Sequence, residues 1–451
     1  LPYVREQNQY NLACVCPPDA NEGGLRGCEG TGNGGRVRAG FPVYAANLLK
    51  DTDPQMAGEM MWLWQSFGTP TQTQYGLSPL AVDTTIAPLA PRDVPAAFLP
   101  GYGATARAHF GTPGEAFLMF RCGYNQSHYD MDQGSFKFYA LGEQLVPNSS
   151  CGYNSAEPAN TQHGILSFGD PEWFNNHGRT DSIVVDRAFL GSVDHLLGWQ
   201  RFDSKSGGNQ GNRAAKEPFA WYRQFLFMKG ATPASPSYLV LRDTLRGKGL
   251  EPSHWHCWLN GRRDGITVHG NRVEVPTPQG NRLDVVFADP AVLEPVSFTW
   301  KETVGGSGCA FPKTGATQMR LTRPAGQGYL AVFCPRRADA PPPTVERLSE
   351  GALKIVTPEG TDYVFLSPDT AVAFRDAEVS FDGRAGAVRM RGDEVRLILA
   401  SGAGRVGYKE HTLRGDGPFE AAMPKAQAET KADRAVPPAV PVPAALRNAG
   451  L

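Results

Sequence analysis

The sequence predicts an α+β protein that is mostly β, with a short helical segment followed by antiparallel sheets stacked as a multi-sheet β-sandwich. Three observations lead there. The 451 residues include 51 glycines and 37 prolines beside 23 Phe and 14 Tyr, the composition of short aromatic strands joined by turns. Helical periodicity is confined to residues 42–67. After Pro100, strand-like runs follow one another at intervals of roughly ten to twenty residues, and no long helical pattern interrupts them.

Taken in order, residues 1–40 read as loop, dominated by Pro, Asn, Gly and Cys. The glycine-rich Glu29-Gly-Thr-Gly-Asn-Gly-Gly35 neither follows a strand nor opens a helix, so it does not read as a phosphate loop. Val43, Ala46, Leu48 and Leu49 form one apolar stripe. Asp51-Thr-Asp-Pro54 supplies a cap and a first-turn proline for a second helix, whose Met56, Met60, Leu63 and Phe67 recur at helical spacing. A Pro/Thr/Ala-rich connector leads into the β region. The expected divisions are a loop-rich and helical segment over 1–75, a linker over 76–99, a β-sandwich over 100–340, a small β-sheet domain over 341–420, and an Ala/Pro-rich disordered or extended tail over 421–451.

Charge excludes some classes of partner. Formal net charge is −1, which argues against nucleic acid, and no apolar run reaches the roughly 18 residues of a membrane helix. Leu1 opens the chain without a charged-then-apolar leader, as a processed form or a fragment would. Eight cysteines permit disulfides or buried thiols, and Cys14-Val-Cys16 with Cys28 lacks the second pair that a zinc site needs.

The chemistry concentrates in Phe120–Phe136. His128, Tyr124, Tyr129, Asp130 and Asp132 stand between the apolar run Ala116–Phe120 and the alternating strand from Ser135 to Leu141. Ionisable groups crowded between buried strands are costly unless paired or used. The cluster reads either as a charge-tuned acid, base or ligand set, or as a structural hydrogen-bond network. Asn148-Ser-Ser-Cys-Gly-Tyr153 follows, and a hairpin would return Asn148 and Tyr153 toward His128. His163 opens the next strand, and with Asp130 and Asn148 it offers mixed N/O ligands. Ser253-His-Trp-His-Cys257 places His254 and His256 on one face of a strand, as ligands or as packed residues, and His195 reads as structural.

These segments resemble a known family. His128-Tyr-Asp-Met-Asp-Gln-Gly-Ser-Phe136, followed by Tyr139-Ala-Leu-Gly142, is similar to the His-x-His-x-Asp-Gln-x-Ser-Phe segment that opens the β domain of heparinase II/III-like polysaccharide lyases. Asn148 to Tyr153 resembles the family's Asp/Gly/Tyr segment, and Thr161-Gln-His-Gly-Ile165 its His-Asn-Thr strand start. Arg223-Gln-Phe-Leu-Phe-Met228 and Tyr238-Leu-Val-Leu-Arg-Asp243 look like its paired core strands. The helix from Asp53 through Met61-Trp-Leu-Trp64 is similar to the last helix of the family's (α/α) toroid. Alginate and glycosaminoglycan lyases share this architecture.

The resemblance implies the end of a toroid packed on a β-sandwich, and a secreted or periplasmic lyase that cleaves uronic-acid-containing acidic polysaccharide by β-elimination. It implies His128 as the acid/base or charge-neutralising group, with Tyr129 and Tyr153 as catalytic assistants. Tyr124, Asn125, Gln126, Asp132, Gln162 and Arg223 are the expected substrate contacts. The second family histidine is Asp130 here, the ligand aspartate is Asn148, and the third ligand falls at Gln162 or His163. The implied structural zinc, or other divalent metal, would therefore rest on Asp130, Asn148 and His163, a weaker set than His-Asp-His; no organic cofactor is implied. The family's toroidal Asn/His pair and tyrosine have no match in 1–75, so a missing helical half, a second chain or a homo-oligomer is expected to complete the site. The alternatives are an inactive glycan-binding or structural module of this type and a uronate C5-epimerase.

Overall fold

The computed structural model describes residues 2–29, 36–37, 41–70, 72–73, 76–77, 82–123, 132–148, 163–169, 182–202, 217–303 and 315–426. The chain forms two units, Leu1–Pro342 and Pro343–Leu451.

The first unit begins with three helices: α1 (Pro2–Ala13), α2 (Phe41–Leu49) and α3 (Pro54–Ser66). α3 starts as its sequence requires, with Pro54 in the first turn and the Asp53 carboxylate accepting from the Met56 N–H at 3.1 Å. α1 corrects the loop reading of the N-terminal residues. Its inward face carries Asn8 and Asn11 beside Leu12 and Ala13, all buried, so the apolar stripe that marks a helix is missing.

Ala97–Leu99, Gly103–Ala108, Ala116–Arg121, Phe136–Ala140 and Glu143–Val146 follow as an antiparallel five-stranded sheet in sequential order. Ala116–Arg121 is buried throughout because both of its faces are covered. Leu118 and Phe120 enter the main core, while Phe117 and Met119 pack with Ala13, Cys14, Cys16 and Tyr139. An unbroken apolar run is what a strand covered on both sides needs.

Two charged clamps tie the N-terminal segment to this sheet. Glu115 binds Arg26 at 2.6 Å and Arg107 at 2.5 Å, with all three side chains buried. The two arginines also donate to the backbone carbonyls of Cys16 and Val15.

An eight-stranded antiparallel sheet faces the core. Its spatial order is Ser182–Phe189, Val193–Phe202, Phe219–Met228, Tyr238–Gly247, Tyr329–Arg336, Arg282–Asp289, Arg272–Pro276 and Thr267–His269. A four-stranded sheet adds Leu166–Phe168, Ser253–Leu259, Ala316–Arg323 and Phe298–Thr303. Phe120 and Phe136 meet Phe225 with ring centroids at 4.9 and 5.4 Å, and Phe136 meets Phe333 at 5.5 Å. Edge-on contacts of this kind add to the burial of each ring.

The second unit pairs a six-stranded and a four-stranded antiparallel sheet, joined by the stacked rings of Phe365 and Phe381 at 4.2 Å. Its last strand, Phe419–Pro424, pairs with Glu394–Ser401, so the chain is still in register at residues 421–424, where a tail was expected to begin. The mostly β, multi-sheet class stands as predicted.

The described cysteines (14, 16, 28, 122, 257 and 334) are buried, while Cys151 and Cys309 lie outside the described residues, as does the glycine-rich stretch 30–35. His195 is buried, with Nε2 accepting from Gln224 at 3.0 Å.

Asp194, buried beside it, lies 2.8 Å from Lys229 Nζ. Burial outweighs the lysine and pushes the carboxyl from its ordinary 3.8 up to about 6. The native state thus holds this proton more tightly than the unfolded chain, and stability falls as pH rises from about 4 to about 6. Asp194→Asn cannot titrate, so it should gain on the parent by about 3 kcal/mol across that window and by nothing further above it, as read by thermal denaturation at a series of pH values.

Candidate functional site

The described residues place the ends of two candidate segments at one point. Segment 124–131 leaves after Gly123 and returns at Asp132, and segment 149–162 leaves after Asn148 and returns at His163. The first pair of ends is clasped by backbone bonds, Gly134 N–H to Arg121 O at 2.8 Å and Arg121 N–H to Ser135 O at 2.9 Å. The Gly123 N–H adds a bond to Gln133 Oε1 at 2.8 Å. The second pair is closed by the Gly164 N–H donating to Asn148 Oδ1 at 3.1 Å, and Asn148 Nδ2 donates to Ser135 Oγ at 3.3 Å, which links the pairs.

Arg223 completes the knot. It lies in the core face of Phe219–Met228, directly across from Asp243 in the neighbouring strand. Its Nε and Nη2 donate to the two Asp243 oxygens at 2.8 Å each. Nη1 donates to the carbonyls of Gly134 at 2.7 Å and Gly164 at 2.5 Å. Trp221 Nε1 gives Asp243 a third bond at 2.8 Å. A bidentate guanidinium with fixed carbonyl acceptors is a rigid device in a low-dielectric interior. Gly134 adopts φ +82° with no room for a side chain, since a Cβ there would meet the Trp221 ring at 2.4 Å.

Two sequence expectations change as a result. Arg223 is only 2% exposed and its donors are engaged within the protein, so it holds the backbone at the loop ends and is not a substrate contact. Asp132, also expected to meet substrate, is buried against Arg121 at 3.1 Å. That arginine stacks on the Tyr102 ring at 4.2 Å, and Tyr10 meets Tyr102 edge-on at 5.6 Å. Burial holds the phenols of Tyr10 and Tyr102 well above their ordinary range, so both stay neutral.

Asn148 and His163 are adjacent and buried. The Asn148 side chain is a neutral carboxamide whose oxygen already accepts from a backbone N–H, which does not fit the His, Cys or carboxylate donors of a structural zinc site. Among the described residues no group of three or more His, Cys, Asp or Glu is arranged to hold one. His254 and His256 serve packing and hydrogen bonding. His256 Nε2 lies 2.8 Å from Ser167 Oγ, and His254 binds Thr322 Oγ1 at 2.8 Å and the Gly169 carbonyl at 2.5 Å.

Tyr124, Asn125, Gln126, His128, Tyr129 and Asp130, together with Tyr153 and Gln162, lie outside the described residues. Sequence reasoning missed Arg121, Trp221 and Asp243, the residues that hold the loop ends. The available signal was Trp-x-Arg in one aromatic strand with an aspartate at the end of the next apolar run. A third segment ends close by, since Ser182 Oγ lies 3.1 Å from Cys122 Sγ.

With this geometry in hand, known structures give the fold. The chain matches a heparinase III gene product with TM-score 0.52 at 12% identity, covering 78% of this chain and 50% of that one. It matches heparan sulfate lyase HepC from Pedobacter heparinus with TM-score 0.52 at 13% identity, covering 76% of this chain and 50% of that one. The fold is heparinase-like, and the chain spans about half the length of these solved structures. No family model matches the chain, and no curated protein matches it in sequence.

Arg223→Leu should strand the Asp243 carboxylate and free both glycine carbonyls, costing about 3–5 kcal/mol in urea denaturation. The double variant Arg223→Leu/Asp243→Leu should recover part of that loss, because no buried charge is then left unpaired. Gly134→Ala should destabilise through both backbone strain and collision with Trp221, and Trp221 fluorescence reports the displaced ring.

Proposed function

We propose that this chain is the β part of a polysaccharide lyase acting on uronate-containing acidic glycans. The convergence of the ends of 124–131 and 149–162 on the Arg223–Asp243 knot carries this reading. The segments that hold His128, Tyr129 and Tyr153 share one anchor, and the heparinase-like fold supports the class of reaction.

In β-elimination a base removes the C5 proton, the electron pair forms the C4=C5 bond, and the C4–O4 bond breaks as an acid protonates O4. The charge that develops is enolate-like, and imidazole and phenol donors suit it. On this reading His128 neutralises the uronate or exchanges the proton, and Tyr129 or Tyr153 assists. Tyr124, Asn125, Gln126 and Gln162 contact the sugar. Asp132, Asn148 and Arg223 act through position. α1–α3 are the end of a helical toroid whose remainder comes from further sequence, a second chain or a copy of this one. A secreted or periplasmic location goes with a substrate of polymer size; among the described residues no helix is long and apolar enough to cross a membrane.

A glycan-binding module is the second reading, favoured by the structural employment of Asp132, Asn148 and Arg223. A uronate C5-epimerase would share the proton abstraction, but it would incorporate solvent deuterium without forming a double bond.

The protein incubated with heparin-like, chondroitin-like and alginate chains should raise ultraviolet absorbance as unsaturated uronate forms. His128→Ala should lower that rate by about 10²-fold or more with unchanged thermal stability. A flat absorbance trace on all three glycans with the parent protein would overturn the lyase reading.

A further inference from the structure

The motif Ser253-His-Trp-His-Cys257 puts two histidines on one face of the strand Ser253–Leu259. Beside it runs Leu166–Phe168, a three-residue strand at the edge of the four-stranded sheet of the first unit. Register sets Leu166 opposite Trp255 and Ser167 opposite His254. Leu166 and Phe168 enter the main core, where the Phe168 ring meets Phe202 and Phe219 at centroid distances of 5.2 and 4.9 Å. Ser167 alternates to the histidine face. A strand this short makes few ladder bonds, and apolar burial is non-directional, so it does not fix the strand along its own axis.

Directional bonds from the histidines do. The His256 N–H donates to the Ile165 carbonyl at 2.9 Å, and its ring Nε2 lies 2.8 Å from Ser167 Oγ. His254 Nε2 lies 2.5 Å from the Gly169 carbonyl, and its Nδ1 lies 2.8 Å from Thr322 Oγ1. A carbonyl only accepts, so His254 must carry a proton on Nε2, which leaves Nδ1 to accept from the Thr322 hydroxyl. The Gly169 N–H donates in turn to the Pro252 carbonyl at 2.9 Å. At the other end, Arg223 and Asn148 hold Gly164. Residues 164, 165, 167 and 169 are thus each fixed by a directional bond.

We propose that His254 and His256 are positioning residues of the candidate site, which lock residues 165–169 in register and so set where segment 149–162 returns at His163 against the Arg223–Asp243 knot. Both histidines are at most 3% exposed, so they act through the strand and not on a ligand. A slip of one residue would turn Ser167 into the core and carry Gly164 about 3.3 Å away from Arg223. Displacements of about 1 Å at reacting groups can cost on the order of 10²-fold in rate, so the lock matters to turnover. Only that effect on turnover rests on the lyase reading.

Deuterium exchange of the full chain, read by mass spectrometry on the peptide covering residues 163–169, measures the lock directly. His254→Leu and His256→Leu should each speed exchange there about tenfold or more and leave the strand Ala116–Arg121 unchanged. His254→Gln, whose amide can donate from near the Nε2 position, should restore the parent rate, and imidazole nitrogen NMR of the parent should show the His254 proton on Nε2. On a glycan that the parent cleaves, well below the melting temperatures of the variants, the two leucine variants should lower kcat roughly tenfold with KM within about twofold. His254→Gln should recover kcat. Unchanged exchange or unchanged kcat in the leucine variants, a His254 proton on Nδ1 alone, or equal losses in His254→Gln and His254→Leu would each overturn the proposal. A parent that cleaves no glycan counts against the lyase reading alone, because exchange still decides the lock.

Discussion

The fold around the candidate site depends on one buried ion pair. Arg223 and Asp243 sit in an aromatic core where an unpaired charge would cost several kcal/mol. Their mutual bonds alone would make them replaceable by two leucines. What makes them specific is the remaining valence: Nη1 takes two backbone carbonyls from different segments, and Asp243 takes the indole N–H of Trp221. One guanidinium thereby fixes the take-off of the strand Phe136–Ala140 and of the strand Leu166–Phe168 relative to the large sheet. Phe136, two residues beyond the Gly134 carbonyl so held, packs its ring against Phe225 and Phe333.

Much of this was legible in the sequence, and the failures have physical causes. The strands at residues 116–121, 219–228 and 238–247 announce themselves by apolar, β-branched and aromatic runs. Gly103–Ala108 does not, because a strand of Gly, Ala, Thr and Arg relies on its neighbours for packing. α1 was hidden by its buried asparagines, Asn8 and Asn11, which interrupt the apolar stripe on its inward face. The heparinase-like fold could be read from the resemblance of the segment at 128–136, whereas the surroundings of Arg223 and Asp132 could not. An arginine in an aromatic strand looks like a ligand contact until its partner is found across a hairpin, and that partner is defined by register rather than by distance along the chain. Asp132 was misjudged for the same reason, since Arg121 precedes the segment and Asp132 closes it.

The two units make different uses of charge. In the first, four arginines are turned inward to hold backbone, Arg26, Arg107, Arg121 and Arg223. In the second, Arg389 and Arg391 do the same around the buried Asp362, yet the four-stranded sheet turns its arginines out. An inward guanidinium acts on shape, and an outward one is available to a partner.

Glu115 bears on how the chain can be divided. Because one carboxylate serves Arg26 from the N-terminal segment and Arg107 from the sheet, the helical and β parts of the first unit are not modules that meet at a seam. Cleavage between residues 28 and 97 would leave the fragments bound by a charge cluster that neither satisfies alone. A boundary drawn from composition would run through the middle of a single electrostatic object, so the unit that is inherited, inserted or exchanged as a piece must carry residues 10–28 with the sheet that binds them.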